Sequence, residues 1–220
     1  MENLLIPNKI IRSNRKSLSL IINNQGELIV RAPISYKDKQ IYNFINKKAN
    51  WIISKRTNIN LNTYKPLTFN SNETIDLLEN SFLIKTYDGK RVKQLDNTIF
   101  VPIVNSKEKF ILFLKKVAKE YITHRVAEIA NLFNFKYQSV SISSAKTNWG
   151  SCSFQNKIHF TYKLIMCPKY VIDYIIIHEL THTIIKNHSK QFWFAVAKNY
   201  PNYKLCEKWL KDNKGIVEII

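Results

Sequence analysis

Glycine is scarce in this 220-residue chain, at four, and cysteine scarcer still, at three. With so few glycines, the phosphate-cradling spacing G-x-x-x-x-G-K-[ST] is nowhere present. Cys152, Cys167 and Cys206 stand far apart with no C-x-x-C pair, which excludes a disulfide framework and a zinc finger. An odd, sparse count of this kind fits free thiols in a reducing compartment. Acidic residues are few, 16 against 34 Lys plus Arg, for a formal net charge of +18. No acidic cluster offers ligands for magnesium. The basic excess favours anionic partners such as nucleic acid. Only six of the cations are arginine, however, and a general Lys/Asn/Ile bias with solvated lysines explains much of the charge. Long apolar runs are also missing. None reaches the roughly 18 to 20 residues that span a membrane, and the start, "MENLLIPNKIIRSNRK", lacks the order of a signal peptide. These absences lead us to expect a soluble, cytoplasmic protein with no membrane partner.

What the chain does have is a core. Hydrophobic residues make up 45% and aromatics 12%, which argues against disorder. Residues 10–33 read as a hairpin: "KSLSLII", the turn "NNQGE", then "LIVRAP". Over 35–56 the apolar period becomes helical, and 57–72, rich in Asn, Thr and Ser, reads as a loop. Residues 73–104 return to strands, with a turn at Asp88-Gly89. From Ser106, a plausible N-cap, a long helix is expected. A strand "SVSIS", a turn loop "AKTNWGSCS" and a strand "KIHFTYKLI" follow, and Pro168 opens the next helix. Ser189 and Pro201 start two shorter helices. The expected class is α+β: a β-rich N-terminal region with one helix over 1–105, then an α+β domain over 106–220.

The stretch "IIIHELTHTIIKNHSKQFW", residues 175–193, carries the chemistry. His178 and His182 are four apart, so on a helix both rings project from one face and can reach one metal. Glu179, about 100° round the helix, misses the metal yet reaches its bound water. This is the H-E-x-x-H arrangement, two zinc ligands and a general base. On an ideal helix His188 would lie about 15 Å beyond His178. If His188 is the third ligand, the helix has to end first. Asn187 offers a left-handed cap, and Ser189 an N-cap for the next helix. Three protein ligands leave a fourth position for water, the composition of a catalytic zinc. A charged Glu among histidines in an apolar helix is costly unless a metal and its water compensate it. His124 and His159 sit where ordinary surface or structural histidines sit.

Several pieces in order resemble a known family, the YgjP-like metal-dependent hydrolases, related to the SprT-type zinc metallopeptidases. They are "RSNRKSLSLIINNQGELIVRAP", "NWII", "NWGSCS", "YKLIMCP", "IDYIIIHELTH", "NHSKQFW" and "PNYKLCEKWLK", spread over nearly the whole chain. The resemblance implies a zincin-like domain with an active-site helix, one zinc on His178, His182 and His188, and Glu179 as the catalytic glutamate. It departs at Asn148, where the family usually has Arg, and at Thr161, where it often has Asn. Trp149, Gly150 and Ser151 are expected near the substrate, with Gly150 suiting a tight loop. Phe192 and Trp193 are expected to pack the helix that holds His188.

The expected activity is zinc-dependent hydrolysis of a polypeptide, by a zinc-activated water with Glu179 as base. The strand at 157–162 would pair with the extended substrate. Two alternatives stand beside it. One is hydrolysis of a nucleoside triphosphate or another phosphorylated small molecule. The other is a nucleic-acid-associated adaptor, with weak electrostatic binding to nucleic acid.

Overall fold

The computed structural model describes residues 5–23, 26–61, 64–70, 72–145 and 147–220, with the side chains of 57–61 left aside. The chain forms two compact units, Met1–Tyr64 and Lys65–Ile220.

The first unit pairs strand β1 (Lys9–Ser13) in parallel, and β2 (Ser19–Ile22) antiparallel, to a central β3 (Leu28–Pro33). β2 and β3 are the expected hairpin. The first-paired strand was not visible in the sequence. Leu28, Val30 and Ala32 alternate along β3, so they share one face of the sheet, and all are fully buried. They meet Ile41 and Ile45 of α1 (Asp38–Lys47) and Ile52 of α2 (Ala49–Leu61). The helix expected over 35–56 is thus two helices meeting at Lys48. The loop expected over 57–72 is corrected at its start, since α2 continues to Leu61. Asn and Thr lower helix propensity by only tenths of a kcal/mol each, too little to stop a helix already formed. Residues 62, 63 and 71 of that segment, 24 and 25 of the hairpin turn, and 146 lie outside the described residues.

The second unit opens with β4 (Glu73–Leu77), β5 (Asn80–Tyr87), β6 (Lys93–Leu95) and β7 (Thr98–Pro102), in the sheet order β4-β5-β7-β6. Helix α3 (Ser106–Leu132) follows, burying Phe110, Leu114, Ala118, Ile122, Val126 and Ile129 at helical spacing. Ser106 is not its N-cap. Asn105 holds that place in a left-handed conformation, and the Ser106 hydroxyl donates back to the carbonyls of Pro102 and Ile103. A second sheet has β8 (Ser139–Ser143), β9 (Gly150–Cys152) and β10 (Lys157–Thr161) in the order β8-β10-β9. The expected turn loop therefore contains a strand, β9. The strand expected to run to 165 ends at Thr161 and gives way to a 3-10 turn, Tyr162–Met166.

Helix α4 (Lys169–Thr181) is apolar on nearly every side, with Val171, Ile172, Tyr174, Ile175, Ile176, Ile177 and Leu180 buried, as suits a central helix. Two polar contacts fix its pose. At its start the Glu79 carboxylate accepts from the Lys169 backbone N–H at 3.1 Å, where a helix attracts negative charge. Along its side Asp173 accepts a two-pronged bond from Arg125 of α3, at 2.7 and 2.8 Å. Helices α5 (Lys190–Asn199) and α6 (Tyr203–Asp212) and a 3-10 turn, Lys214–Glu218, complete the unit. Among the described residues, no helix is long and apolar enough to cross a membrane.

Candidate metal centre and cleft

Helix α4 ends at Thr181, with His182 at the C-cap. The Thr181 hydroxyl donates to the Ile177 carbonyl at 2.7 Å, and the chain turns through 183–189 before α5 begins. Asn187 does not take the left-handed cap expected of it. Its side chain instead accepts from the Ser189 N–H at 3.2 Å, and Ser189 caps α5 by accepting from Phe192 N–H at 3.4 Å. The helix ends before Asn187, at the His182 C-cap, and the turn that follows carries His188 back onto the end of α4.

Three imidazoles converge as a result. His188 Nε2 lies 3.1 Å from His182 Nε2 and 3.1 Å from His178 Nε2. His182 Nδ1 lies 3.0 Å from the Ile185 carbonyl, which can only accept, so Nδ1 carries the proton and Nε2 presents a lone pair. With that nitrogen bare, hydrogen bonding fully satisfies at most one of the two Nε2 contacts. A cation accepting three lone pairs satisfies both. Ligand nitrogens at 2.0 to 2.1 Å in tetrahedral array sit about 3.3 to 3.4 Å apart, close to the spacing here. Burial, reinforced by His182 and His188, holds His178 down to about pKa 3, and burial also lowers His182. Both rings are therefore neutral at physiological pH, the form a metal requires. The residues present fit a metal ion.

An aromatic wall fixes the rings. Phe192 stacks on His182 with centroids 4.3 Å apart and meets His178 edge-on at 4.9 Å. Trp193 stacks on His188 at 5.8 Å and on Tyr203 at 5.5 Å. Phe192 and Trp193, both on α5, thus touch the histidine rings. His178 Nδ1 is buried with no hydrogen-bond partner among the described residues, and its ring is held by Phe192, Trp193 and Tyr174.

Glu179 is 6% exposed, and burial pushes its carboxyl up to about pKa 8. It opens, with His178, onto a cleft of about 690 Å³ whose walls include Trp149, Gly150, Tyr174, Glu207 and Lys211. Trp149 and Gly150 line the cleft, while Ser151 is exposed on β9 outside its lining. Sequence reading missed Tyr174 and Glu207. Tyr174 lies four residues before His178, so helical spacing alone put its ring on the histidine face. The 3-10 turn Lys214–Glu218 closes one side of the cleft through Lys214 and Val217. Lys163, nearly buried, holds that turn by donating to the carbonyls of Val217 and Ile220. His159 bonds Ser141 at 2.6 Å and His124 lies beside Glu128, both away from this cluster.

A family model described as YgjP-like, metallopeptidase domain, matches residues 16–213. Among solved structures, the crystal structure of the metallopeptidase zymogen of Pyrococcus abyssi abylysin is similar at 21% identity, with a TM-score of 0.39. The match covers 42% of this chain and 95% of that one. No curated protein matches the chain significantly.

Proposed function

The chain belongs to the YgjP-like family through its metallopeptidase domain, and from that premise we propose that it is a zinc-dependent hydrolase of peptide bonds. The observation that carries this reading is the meeting of three Nε2 atoms beside a buried carboxylate at the wall of a cleft. His178, His182 and His188 would hold one zinc per chain. When bound, the zinc supplies Lewis acidity, which polarises a carbonyl and acidifies water. Glu179 is the base: a carboxylate oxygen takes the proton of the attacking water and later delivers it to the leaving amine. Phe192 and Trp193 keep the imidazoles aimed together. All of these residues lie in 106–220, which we propose as the catalytic domain, with the β-rich region 1–105 preceding it.

The substrate runs along β9 rather than along the strand at 157–162. That strand, β10, is central, paired to β8 on one side and β9 on the other. β9, unlike β10, is an edge of the sheet, and it is the edge at the cleft, so an extended polypeptide can add to it through backbone hydrogen bonds. Trp149 and Gly150 then lie beside the scissile bond.

Part of the basic charge gathers in the second unit. Lys90, Arg91, Lys109 and Lys116 line a groove of about 520 Å³ that has Glu120 as its only acidic lining residue. This supports a second, weaker activity, electrostatic binding of nucleic acid or another polyanion. All three thiols are free, which fits a reducing compartment such as the cytoplasm.

Product analysis tests the main reading. Zinc-loaded protein is incubated separately with an unfolded polypeptide and with nucleoside triphosphates, with Glu179→Gln as the control. New peptide termini from the wild type and at least about 100-fold fewer from Glu179→Gln are expected, with zinc retained by both. Release of phosphate without peptide cleavage would replace the peptidase reading by phosphoanhydride hydrolysis.

A further inference from the structure

The Glu179 carboxylate has no hydrogen bond or ion pair among the described residues. A base that must meet one proton in one direction is therefore oriented by packing alone. The surface it packs against is backbone. A methyl group added at Gly150 would lie 2.7 Å from Glu179 Cγ, 2.9 Å from Oε1 and 3.0 Å from Cδ. Ordinary carbon contacts lie at about 3.5 to 4.0 Å, so a side chain at Gly150 fits only if the Glu179 side chain leaves this position.

Conformation does not explain the glycine. Gly26, not Gly150, is the glycine with positive φ among the described residues. What Gly150 provides is space. The two backbones are held, so the Glu179 side chain is the part that would have to move. β9 is held in register with β10, Gly150 opposite Phe160, and the Trp149 carbonyl accepts from Thr161 N–H at 3.0 Å. On the other side α4 is clamped by Arg125 and Glu79.

We propose that Gly150 is a positioning residue: its bare backbone is the wall that fixes the Glu179 carboxylate beside the histidine cluster. This rests on Glu179 being the base, and it adds what aims that base. It also gives the "WGSC" stretch a physical role. The glycine lets the substrate-bearing edge strand and the base-bearing helix approach one another at the point of reaction.

The test compares wild type, Gly150→Ala, Glu179→Ala and the double variant by three readouts. These are zinc bound per chain, kcat and KM on a fluorescently labelled unfolded polypeptide, and the Tm of the metal-free protein. Gly150→Ala should keep its zinc and its KM within about threefold while kcat falls about 100-fold, the cost of a misplacement near 1 Å. Its Tm should fall by about 2 to 12 °C, the range for overpacking in a chain of this size. In the Glu179→Ala background, where the crowded atoms are gone, the same substitution should lose at least half of that penalty. A kcat within threefold of wild type, or an equal Tm penalty in both backgrounds, overturns the proposal. If Gly150→Ala does not fold, a folded double variant supports it and an unfolded double variant overturns it. If the wild type cleaves no polypeptide, the proposed function falls, and the Tm coupling alone decides whether Gly150 sets the Glu179 side chain.

Discussion

Replacing His188 by alanine removes one of three converging nitrogens and almost nothing else. The side chain is exposed on the turn between α4 and α5, and its neighbours are the two histidines, Phe192 and Trp193. The metal-free fold should therefore change by no more than about 0.5 kcal/mol, as for other surface sites. Metal affinity should change far more. Structural zinc sites with four protein ligands bind with about 10 to 16 kcal/mol, or about 2.5 to 4 kcal/mol per ligand. Losing one of three ligands then weakens zinc by about 10² to 10³-fold. A chromophoric chelator competing for zinc reads this directly, alongside the Tm of both metal-free proteins. Hydrolysis of unfolded polypeptide should disappear at zinc levels that saturate the wild type. An affinity within about tenfold of wild type would refute a three-histidine site, since two ligands would then suffice.

Asp173→Ala removes both prongs of the Arg125 bond that clamps α4 to α3. Arg125 keeps Glu128 and partial solvation, so the loss should be about 1 to 2 kcal/mol, read as a Tm fall of about 2 to 8 °C. A change below 1 °C would show that the clamp is idle. Binding of a labelled oligonucleotide should weaken steeply from 50 to 200 mM salt and weaken further in Lys109→Glu/Lys116→Glu. Salt-independent binding, or binding that the double variant leaves untouched, would exclude the α3 groove as the polyanion site.

The parts of the fold that could be read from the sequence are those with strong local period. α3, the β2–β3 pair and β4, β5 and β7 declare themselves by apolar spacing, whereas β6, an exposed Lys-Gln-Leu, does not. β9 does not, because Gly-Ser-Cys carries no strand propensity and becomes a strand only by pairing with β10. β1 is hidden for a related reason: its partner is β3, beyond an intervening strand, so nothing local marks the pairing. The site was readable because H-E-x-x-H couples chemistry to helical spacing, and because His188 made sense only if the helix stopped. Where it stopped was misjudged. Asn187 was the evident terminator by residue type, yet the Leu180 and Thr181 carbonyls are taken up before it, by the Thr183 hydroxyl and by the N–H groups of Thr183 and Ile184. Glu207 and the contact of Gly150 with Glu179 belong to tertiary packing, and one strand passing one helix cannot be read from either alone.

The site joins two parts of unequal rigidity, and this gives a prediction about metal removal. His178, Glu179 and His182 ride on a buried helix fixed at its start by Glu79 and along its side by Arg125. His188 rides on a surface turn. That turn is tied by the Asn187–Ser189 and Ser189–Phe192 bonds, by the His182–Ile185 bond, and by Lys186, whose ammonium donates to the Ser153 carbonyl at 3.0 Å. Few buried apolar contacts back these bonds, so the turn should open locally at low cost, while α4 opens only with the core. A metal that needs His188 in place binds only the closed turn and so stabilises it by mass action. At free zinc 100 times its dissociation constant this amounts to about 2.7 kcal/mol, or about 100-fold slower amide exchange. Hydrogen exchange followed by mass spectrometry, with and without zinc, should therefore show protection gained over 183–189. Residues 169–181 should exchange slowly in both states. Protection gained evenly along α4, or absent from 183–189, would mean that the turn is not what the metal closes. His188 would then have no part in holding it.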